Sequence, residues 1–282
     1  MRLYEGTIER FRDDVLENKI ADAISERYKE YYGTKPNTSE FNSWNISLRF
    51  VKDALDYSNL KDNHLVIEYE LAYSSRRIDV LLFGKGISNH DNIVLIELKQ
   101  WSTIKEIVDI DEEGNFIETW TGNAPRRVPH PSQQVEGYHR HMINFVQVFE
   151  LEENYDLFSC AYCHNYPKTI GDGLLAEKYN NLLYSYPLYT KDDVENLGNK
   201  LKDLLSKGSG FEIFNRFMLS PIRPSKKLLE CASMIVDHNK AEFSLLNEQL
   251  IAKNLIMSKV KKAETNNEKS VIVVHGGPGT GK

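Results

Sequence analysis

The feature that most constrains this chain is a short apolar run that two charged residues interrupt. Residues 93–96 are all apolar, which is typical of a central strand that other elements cover on both faces. Glu97 and Lys99 follow directly, and side chains two positions apart on a strand lie on the same face. The pattern predicts an α/β fold in which a carboxylate and an amine emerge together from a buried sheet.

A second apolar run, residues 78–84, precedes the first, and the turn-forming residues between them predict a hairpin. If the loop closes from Gly84 to Asn92, counting the register places Asp79 opposite Glu97. Cross-strand neighbours have Cβ atoms about 4.5–5.5 Å apart. Two carboxylates at that separation repel each other unless a cation binds between them.

This carboxylate pair suits a divalent ion, because Mg²⁺ prefers one or two carboxylates together with waters and phosphate oxygens. We therefore expect Asp79 and Glu97 to bind Mg²⁺ or Mn²⁺, and Lys99 to orient an attacking water or stabilise a phosphoryl transition state. The alternative is an ordinary ion pair on a solvated strand face, which is common for a Glu-x-Lys pair. Asp79 at the matching hairpin position favours the metal site.

Hydrophobic periodicity predicts helices around this hairpin. An amphipathic helix is expected over residues 7–32, and a second helix begins near Ser39, with Ser39 or Thr38 as its N-cap. The other predicted elements are a strand at 65–73, a small hairpin at 106–120, a helix at 134–149, a strand at 157–166 and several helices between 192 and 263. Together they predict an α/β fold with a central mixed sheet flanked by helices, followed by a helical connector.

Composition and charge bound the function. A hydrophobic content of 41% and a charged content of 27% are those of a globular protein. No apolar stretch reaches the roughly 20 residues that a bilayer requires, and no apolar signal region opens the chain, so we expect a cytoplasmic protein without a membrane partner. A net charge of −6 predicts that any nucleic-acid surface is local. Its candidate residues are Arg76, Arg77, Arg126, Arg127 and Lys168.

Cys160, Cys163 and His164 have the spacing of a c-type haem attachment, and zinc is the other ligand that such residues suggest. They fall inside the predicted strand at 157–166, however, and three cysteines without a secretory signal indicate a reducing compartment. We interpret the cysteines as buried strand residues, because a free cysteine behaves as a small apolar side chain.

The spacing of Asp79 and Glu97-x-Lys99 across a hairpin resembles the PD-(D/E)XK nuclease superfamily, without the proline before the aspartate. Gln134 and Tyr138 have the Gln-x-x-x-Tyr pattern of the RecB-like branch of that superfamily, and residues four apart share one helix face. The resemblance implies a restriction-endonuclease-like core and metal-dependent hydrolysis of phosphodiester bonds. It also implies that Gln134 and Tyr138 act beside the catalytic trio.

Other parts of the chain extend the resemblance. Glu40 matches the acidic residue, early in the helix before the sheet, that many of these nucleases contribute as a further metal ligand. Segments at 39–44, 76–80, 96–101 and 130–134 resemble the Schlafen-like DNA/RNA helicase proteins of prokaryotes. That resemblance implies a nuclease that precedes a superfamily 1 helicase-type ATPase, acts on DNA in preference to RNA, and defends against phage. The alternative is a catalytically silent module that holds nucleic acid or a partner for the ATPase.

The end of the chain carries a nucleotide-binding motif. Apolar residues 271–274 predict a strand, and residues 276–282 form a Walker A motif that stops at its lysine. Upstream, residues 243–249 resemble the segment of superfamily 1 helicases whose glutamine reads adenine. The expected nucleotide-binding residues are Gln249, Gly276, Gly279, Gly281 and Lys282.

This motif also predicts how the chain is divided. The hydroxyl residue and the helix that complete a phosphate site do not follow Lys282, so we expect ATP to bind only the full-length parent and this chain to lack ATPase activity. The predicted organisation is a nuclease domain over 1–220, a helical connector over 221–270, and the first strand and truncated P-loop of an ATPase domain over 271–282.

Overall fold

The structure is a computed structural model, and it describes residues 1–106, 115–121, 124–230 and 247–275. The strands are β1 (Tyr4–Thr7), β2 (His64–Glu70), β3 (Arg77–Lys85), β4 (Asp91–Lys99), β5 (Lys105–Glu106), β6 (Phe116–Thr121), β7 (Ala124–Pro129), β8 (Tyr155–Cys163) and β9 (Leu188–Thr190). The α-helices whose bounds are described are α1 (Ile8–Leu16), α2 (Ile20–Tyr32), α3 (Thr38–Ser58), α4 (Pro131–Phe145), α5 (Val148–Leu151), α6 (Asn180–Ser185), α7 (Val194–Leu205), α8 (Gly210–Leu219) and α9 (Asn247–Asn266).

The central sheet has six strands in the order β1-β2-β3-β4-β8-β9. The first four strands pair antiparallel, whereas β4 pairs with β8, and β8 with β9, in parallel. The chain is therefore α/β, with a mixed central sheet flanked by helices, as predicted. The strands predicted at 65–73, at 78–84, from residue 93 through Lys99, and at 157–166 are confirmed as β2, β3, β4 and β8, with small shifts at their ends.

The register of the β3–β4 hairpin is the one that the turn predicts. Gly84 pairs with Asn92 at the loop end, and Val80 pairs with Ile96 near the far end. A side chain at position 79 on β3 is thus brought to the level of position 97 on β4, one residue beyond the last pair of the β3–β4 ladder.

The two faces of the sheet bury separate apolar clusters. On one face Val94 and Ile96 pack with apolar residues of α1, α2, α3 and α7. On the other face Ile93 and Leu95 pack with residues of α4 and α8. All four β4 residues are at most 1% exposed, which confirms burial on both faces. The charged residues at the end of β4 therefore emerge from the most enclosed part of the fold.

The N-terminal segment differs from its prediction. The helix expected over 7–32 is two helices, α1 and α2, because Asn18 between them has φ +57°, a left-handed conformation that a continuing helix cannot accommodate. Ile8 and Ile24 are both buried as predicted, so the apolar spacing continues across the break and conceals it. The edge strand β1, which precedes α1, was not predicted.

The predicted N-cap of α3 is also wrong. The helix begins at Thr38, and Asn37 is its N-cap. Asn37 has extended backbone angles, φ −70° and ψ 158°, which aim its side-chain oxygen at the free N–H groups of the first turn. That oxygen accepts a hydrogen bond from the Glu40 backbone N–H at 2.9 Å. Thr38 and Ser39, the predicted caps, lie inside the first turn of the helix.

A second, three-stranded sheet has the order β5-β6-β7. The hairpin predicted at 106–120 is seen in the pairing of β5 with β6, and its turn at 107–114 lies outside the described residues. Strand β7 was not predicted, because it contains Pro125 and Pro129, which cannot donate to a ladder. Its edge position tolerates both prolines. The helix predicted at 134–149 begins earlier, as α4, and ends before the short α5.

The C-terminal part matches its predictions in part. Helices α7, α8 and α9 confirm helical structure between 192 and 263. Residues 271–274 are not the predicted strand: their backbone is irregular, Val271 is 91% exposed, and the described residues provide no neighbouring strand for a ladder. Gln249 lies in α9. The predicted nucleotide-binding residues Gly276, Gly279, Gly281 and Lys282 lie outside the described residues, and the domain boundaries stay predictions.

Across the described ranges, no helix combines the length and the apolar character that crossing a membrane requires.

Candidate functional site

A pocket of about 110 Å³ opens where β2, β3 and β4 end against α3. Three neighbouring strands each bring one carboxylate to it, and β4 adds a lysine. The residues that line the pocket are Ser43, Trp44, Ser47, Leu48, Ile67, Glu68, Asp79, Glu97, Leu98 and Lys99. The sequence-predicted trio of Asp79, Glu97 and Lys99 therefore shares one pocket.

Asp79 lies at the level of Glu97, but regular strand pairing stops one residue earlier, at Val80 and Ile96. Instead, the Asp79 Oδ2 atom accepts a hydrogen bond from the Leu98 backbone N–H at 2.6 Å. This bond takes the place of a ladder bond and fixes the carboxylate at the mouth of the hairpin.

Glu97 is the most enclosed acid of the pocket, with 3% of the residue exposed. Its Oε1 atom accepts hydrogen bonds from Lys99 Nζ at 2.7 Å and from Gln134 Nε2 at 2.5 Å. Its Oε2 atom is buried and has no hydrogen-bond partner among the described residues. Buried polar atoms of native proteins are nearly always satisfied, so this oxygen is an exception at the centre of the pocket.

The charges of the pocket are coupled. Burial raises the pKa of the Asp79 carboxyl well above its usual range, and the Glu97 and Glu68 carboxylates raise it further. Burial alone would lower the pKa of Lys99, but Glu97 and Asp79 outweigh that effect and raise it. Lys99 therefore stays protonated, while Asp79 resists ionisation.

Helix α4 brings Gln134 and Tyr138 to the same pocket. Besides its bond to Glu97, the Gln134 amide donates to the Tyr138 hydroxyl oxygen at 2.8 Å. Tyr138 is 4% exposed, and burial, followed by the nearby Glu97 and Asp79 charges, raises the pKa of its hydroxyl. The structure thus brings together the two helix residues and the carboxylate that the sequence pattern associates.

Glu40, in the first turn of α3, is already paired with a cation of the protein. Its Oε1 atom accepts a hydrogen bond from the Arg77 guanidinium. Arg77 also forms an ion pair with Glu68, with 2.9 Å between Arg77 Nε and Glu68 Oε2. Arg77, a predicted phosphate contact, therefore lies between two carboxylates, and any phosphate must compete with them.

Glu68 also lines the pocket, and it was not predicted from the sequence as a site residue. It is 8% exposed, and burial raises the pKa of its carboxyl to about 7. Its backbone has φ +56°, and it is skipped in a ladder that pairs Ile67 with Val80 and Tyr69 with Ile78. An unusual backbone conformation of this kind occurs preferentially at functional sites.

A trace of Glu68 is nevertheless visible in the sequence. It is a lone acid between the apolar residues Ile67 and Tyr69, inside a strand whose other central residues are buried. An isolated charge in such a run indicates a site as clearly as Glu97 does.

The other predicted basic residues lie in different settings. Arg76 is close enough to Tyr138 to oppose the rise in the pKa of that hydroxyl. On β7, Arg126 is exposed, and the Arg127 guanidinium packs 4.9 Å from the centre of the Phe116 ring. Lys168 forms an ion pair with Asp193 at 2.6 Å.

The cysteines of β8 are interior residues. Cys160 and Cys163 are both fully buried, and burial raises the pKa of each thiol, that of Cys163 to about 12. The adjacent His164 bonds to the Ser47 hydroxyl at 3.1 Å. The interpretation of these cysteines as buried strand residues is confirmed.

The donor set fits a hard divalent ion. Among the described residues, no group of three or more His, Cys, Asp or Glu side chains is arranged as a complete metal site. Mg²⁺ does not need one, because it keeps several waters and takes only one or two carboxylates, with substrate phosphates completing its shell. Asp79 and the unpartnered Glu97 oxygen are such a pair.

Comparison of the chain with protein-family models, with curated proteins and with solved structures found no match.

Proposed function

We propose that this protein is a Mg²⁺- or Mn²⁺-dependent nuclease of the PD-(D/E)XK type, with a restriction-endonuclease-like core, that hydrolyses phosphodiester bonds of DNA. The observation that carries the proposal is the Glu97 carboxylate. One of its oxygens is held by Lys99 and Gln134, and the other is buried without a described partner beside Asp79. This arrangement is suited to binding a cation.

Asp79 and Glu97 would hold the ion. When bound, a divalent ion acidifies water and offsets the charge of the scissile phosphate. Lys99 keeps a positive charge in the pocket and would stabilise the negative charge that develops on the phosphoryl oxygens. Gln134 orients the Glu97 carboxylate, and its second hydrogen bond, to Tyr138, fixes the direction of the amide.

The second candidate is a catalytically silent nuclease fold that holds nucleic acid or a partner. The lack of a three-ligand metal group among the described residues is the observation in its favour. The raised pKa of Asp79 speaks for the enzyme, since a structural descendant has no physical need for a costly cluster of buried carboxylates.

The wider setting that we propose is that of the Schlafen-like helicase–nucleases, with an ATPase that binds ATP in the parent protein and a role in phage defence. The resemblance of residues 39–44, 76–80, 96–101 and 130–134 to those proteins supports it. Plaque counts on a bacterial host that expresses this protein test the role in defence. We expect fewer plaques with the wild type than without the protein, and loss of that protection in Asp79→Asn.

Cleavage of labelled DNA tests the nuclease proposal. Single-stranded and duplex DNA, and single-stranded RNA, are incubated with Mg²⁺, Mn²⁺ or EDTA. We expect metal-dependent cleavage of DNA by the wild type, and a loss of at least about 10²-fold in Asp79→Asn, Glu97→Gln and Lys99→Met, the scale for one preorganised charge. The matched control is Asp156→Asn, an exposed acid at the other end of the sheet. Full activity in Asp79→Asn would overturn the proposal, and binding without cleavage would support the silent module.

A further inference from the structure

Four acids lie in or beside the pocket, in two groups with different partners. In one group Lys99 forms an ion pair with Glu97, Asp79 lines the pocket beside this pair, and the Glu97 Oε2 atom lacks a described partner. In the other group Arg77 bonds to both Glu40 and Glu68. One group has a buried carboxylate oxygen without a described partner, and the other contains a protein cation between its acids.

The second group is fully engaged at Glu68. Its Oε2 atom lies 2.9 Å from Arg77 Nε, and its Oε1 atom accepts a hydrogen bond from Trp44 Nε1 at 2.8 Å. Both oxygens of this buried carboxylate therefore have donors, in contrast to Glu97. A metal ion could bind Glu68 only by displacing one of these donors.

Arg77 is held firmly between its two acids. Its guanidinium lies over the rings of Tyr28 and Tyr32, at 5.5 and 5.9 Å from their centres, and its side chain is 21% exposed. A guanidinium stays protonated at any ordinary pH, and its fork of donors suits two carboxylates. Its cation–π contacts add to the cost of moving it.

Arg77 already supplies the positive charge next to Glu40 and Glu68 that a second divalent ion would otherwise supply. A second ion at these two acids would lie beside a guanidinium that stays charged, and the two cations would repel each other.

We propose that Arg77 is a built-in cation that occupies Glu40 and Glu68, so that the pocket binds one divalent ion, at Asp79 and Glu97, and not two. The proposal rests on the metal site proposed above. It replaces the role of metal ligand that the sequence resemblance implies for Glu40, and it makes Arg77 a positioning residue.

Counting bound Mn²⁺ by electron paramagnetic resonance tests this assignment without reference to activity. We expect one ion per chain in the wild type and none in Asp79→Asn. Arg77→Met should gain a second ion, because Glu40 and Glu68 then repel each other without a counter-ion. The double variant Arg77→Met/Glu68→Gln should return to one ion, which structural damage alone would not produce. Arg49→Met, on the exposed side of α3, is the matched control and should stay at one.

Two ions in the wild type, or one ion in a folded Arg77→Met, would overturn the proposal. If Arg77→Met does not fold, Glu40→Gln decides: the wild-type ion should remain with an affinity within about tenfold, since Glu40 acts only through charge at a distance. Loss of the ion in Glu40→Gln would identify Glu40 as a ligand and reject the proposal. A wild type that binds no Mn²⁺ would instead reject the metal site itself, and this inference with it.

Discussion

Asp79 carries a charge that the fold disfavours when no cation is bound. Its burial raises the pKa of its carboxyl, and the Glu97 and Glu68 carboxylates add to that rise. Lys99 and the Leu98 backbone N–H oppose it. A buried carboxyl with a raised pKa lowers the stability of the fold once it ionises.

This cost predicts that Asp79→Asn is more stable than the wild type when metal is absent. The folded-state pKa of Asp79 lies above its unfolded value, so stability that is present at low pH is lost as the pH rises through the folded pKa. Asparagine removes the charge and keeps an oxygen for the Leu98 N–H. We expect its free energy of unfolding, from urea titration at pH 7 in EDTA, to be about 0.5–2 kcal/mol higher.

The exposed control Asp156→Asn should lie within about 0.5 kcal/mol of the wild type. Saturating Mn²⁺ should reverse the order, since binding at 100 times Kd adds about 2.7 kcal/mol to the wild type only. An Asp79→Asn variant that is less stable than the wild type in EDTA would contradict the electrostatic cost.

At the residue scale, the sequence predicts the part of the site that depends on local spacing. Asp79, Glu97 and Lys99 follow from strand alternation and the hairpin register. Glu68 does not, because its place in the pocket depends on a left-handed backbone conformation inside a strand. The pairing of Arg77 depends on how α2 and α3 pack, which no local pattern contains.

At the scale of elements, α4 depends on a neutral histidine at its start. His130 is the N-cap: its Nδ1 atom accepts a hydrogen bond from the Ser132 N–H at 3.2 Å, and its Nε2 atom bonds to the Leu174 carbonyl at 3.0 Å. Only a neutral imidazole can accept at one nitrogen and donate at the other. Burial lowers the pKa of His130 to about 4.

This cap predicts a loss of stability in acid. The folded-state pKa of His130 lies below its unfolded value, so its contribution is present above about pH 6.5 and is lost as the pH falls toward 4. The loss is about 1.4 kcal/mol for each pH unit in that window. His130→Asn keeps an N-cap acceptor and has no titrating ring. Between about pH 6.5 and 4, its free energy of unfolding should therefore fall by about 1.4 kcal/mol less per pH unit than that of the wild type. The free energy of unfolding is measured by urea titration at pH 7, 6 and 5. An equal fall with pH in the variant and the wild type would contradict this prediction.

The sequence predicts those elements that a local pattern of residues determines. The β3–β4 hairpin has a short turn between two apolar runs, so its register follows from counting. The break between α1 and α2 leaves the apolar spacing intact, and β7 contains two prolines, so neither has a clear local pattern. The edge strands β1 and β9, with four and three residues, are too short to show periodicity.

At the scale of the whole molecule, the site combines residues from three strands and two helices that are distant in sequence. Strands β2, β3 and β4 each supply one acid, and α3 and α4 supply the residues that hold two of those acids. The apolar runs of the sequence predict this sheet class, because a strand buried on both faces needs helices on both sides. Strand β8 pairs in parallel with β4, and β9 with β8. This strand order depends on long-range packing, and the sequence did not predict it.

The central claim is that Asp79 and Glu97 bind one divalent ion in this pocket. Anomalous scattering from crystals of the wild type soaked in Mn²⁺ tests it most directly. We predict one peak, within about 2.0–2.6 Å of a carboxylate oxygen of each residue, with Arg77 still bonded to Glu40 and Glu68. No peak in the pocket, or a peak between Glu40 and Glu68 with Arg77 displaced, would contradict it.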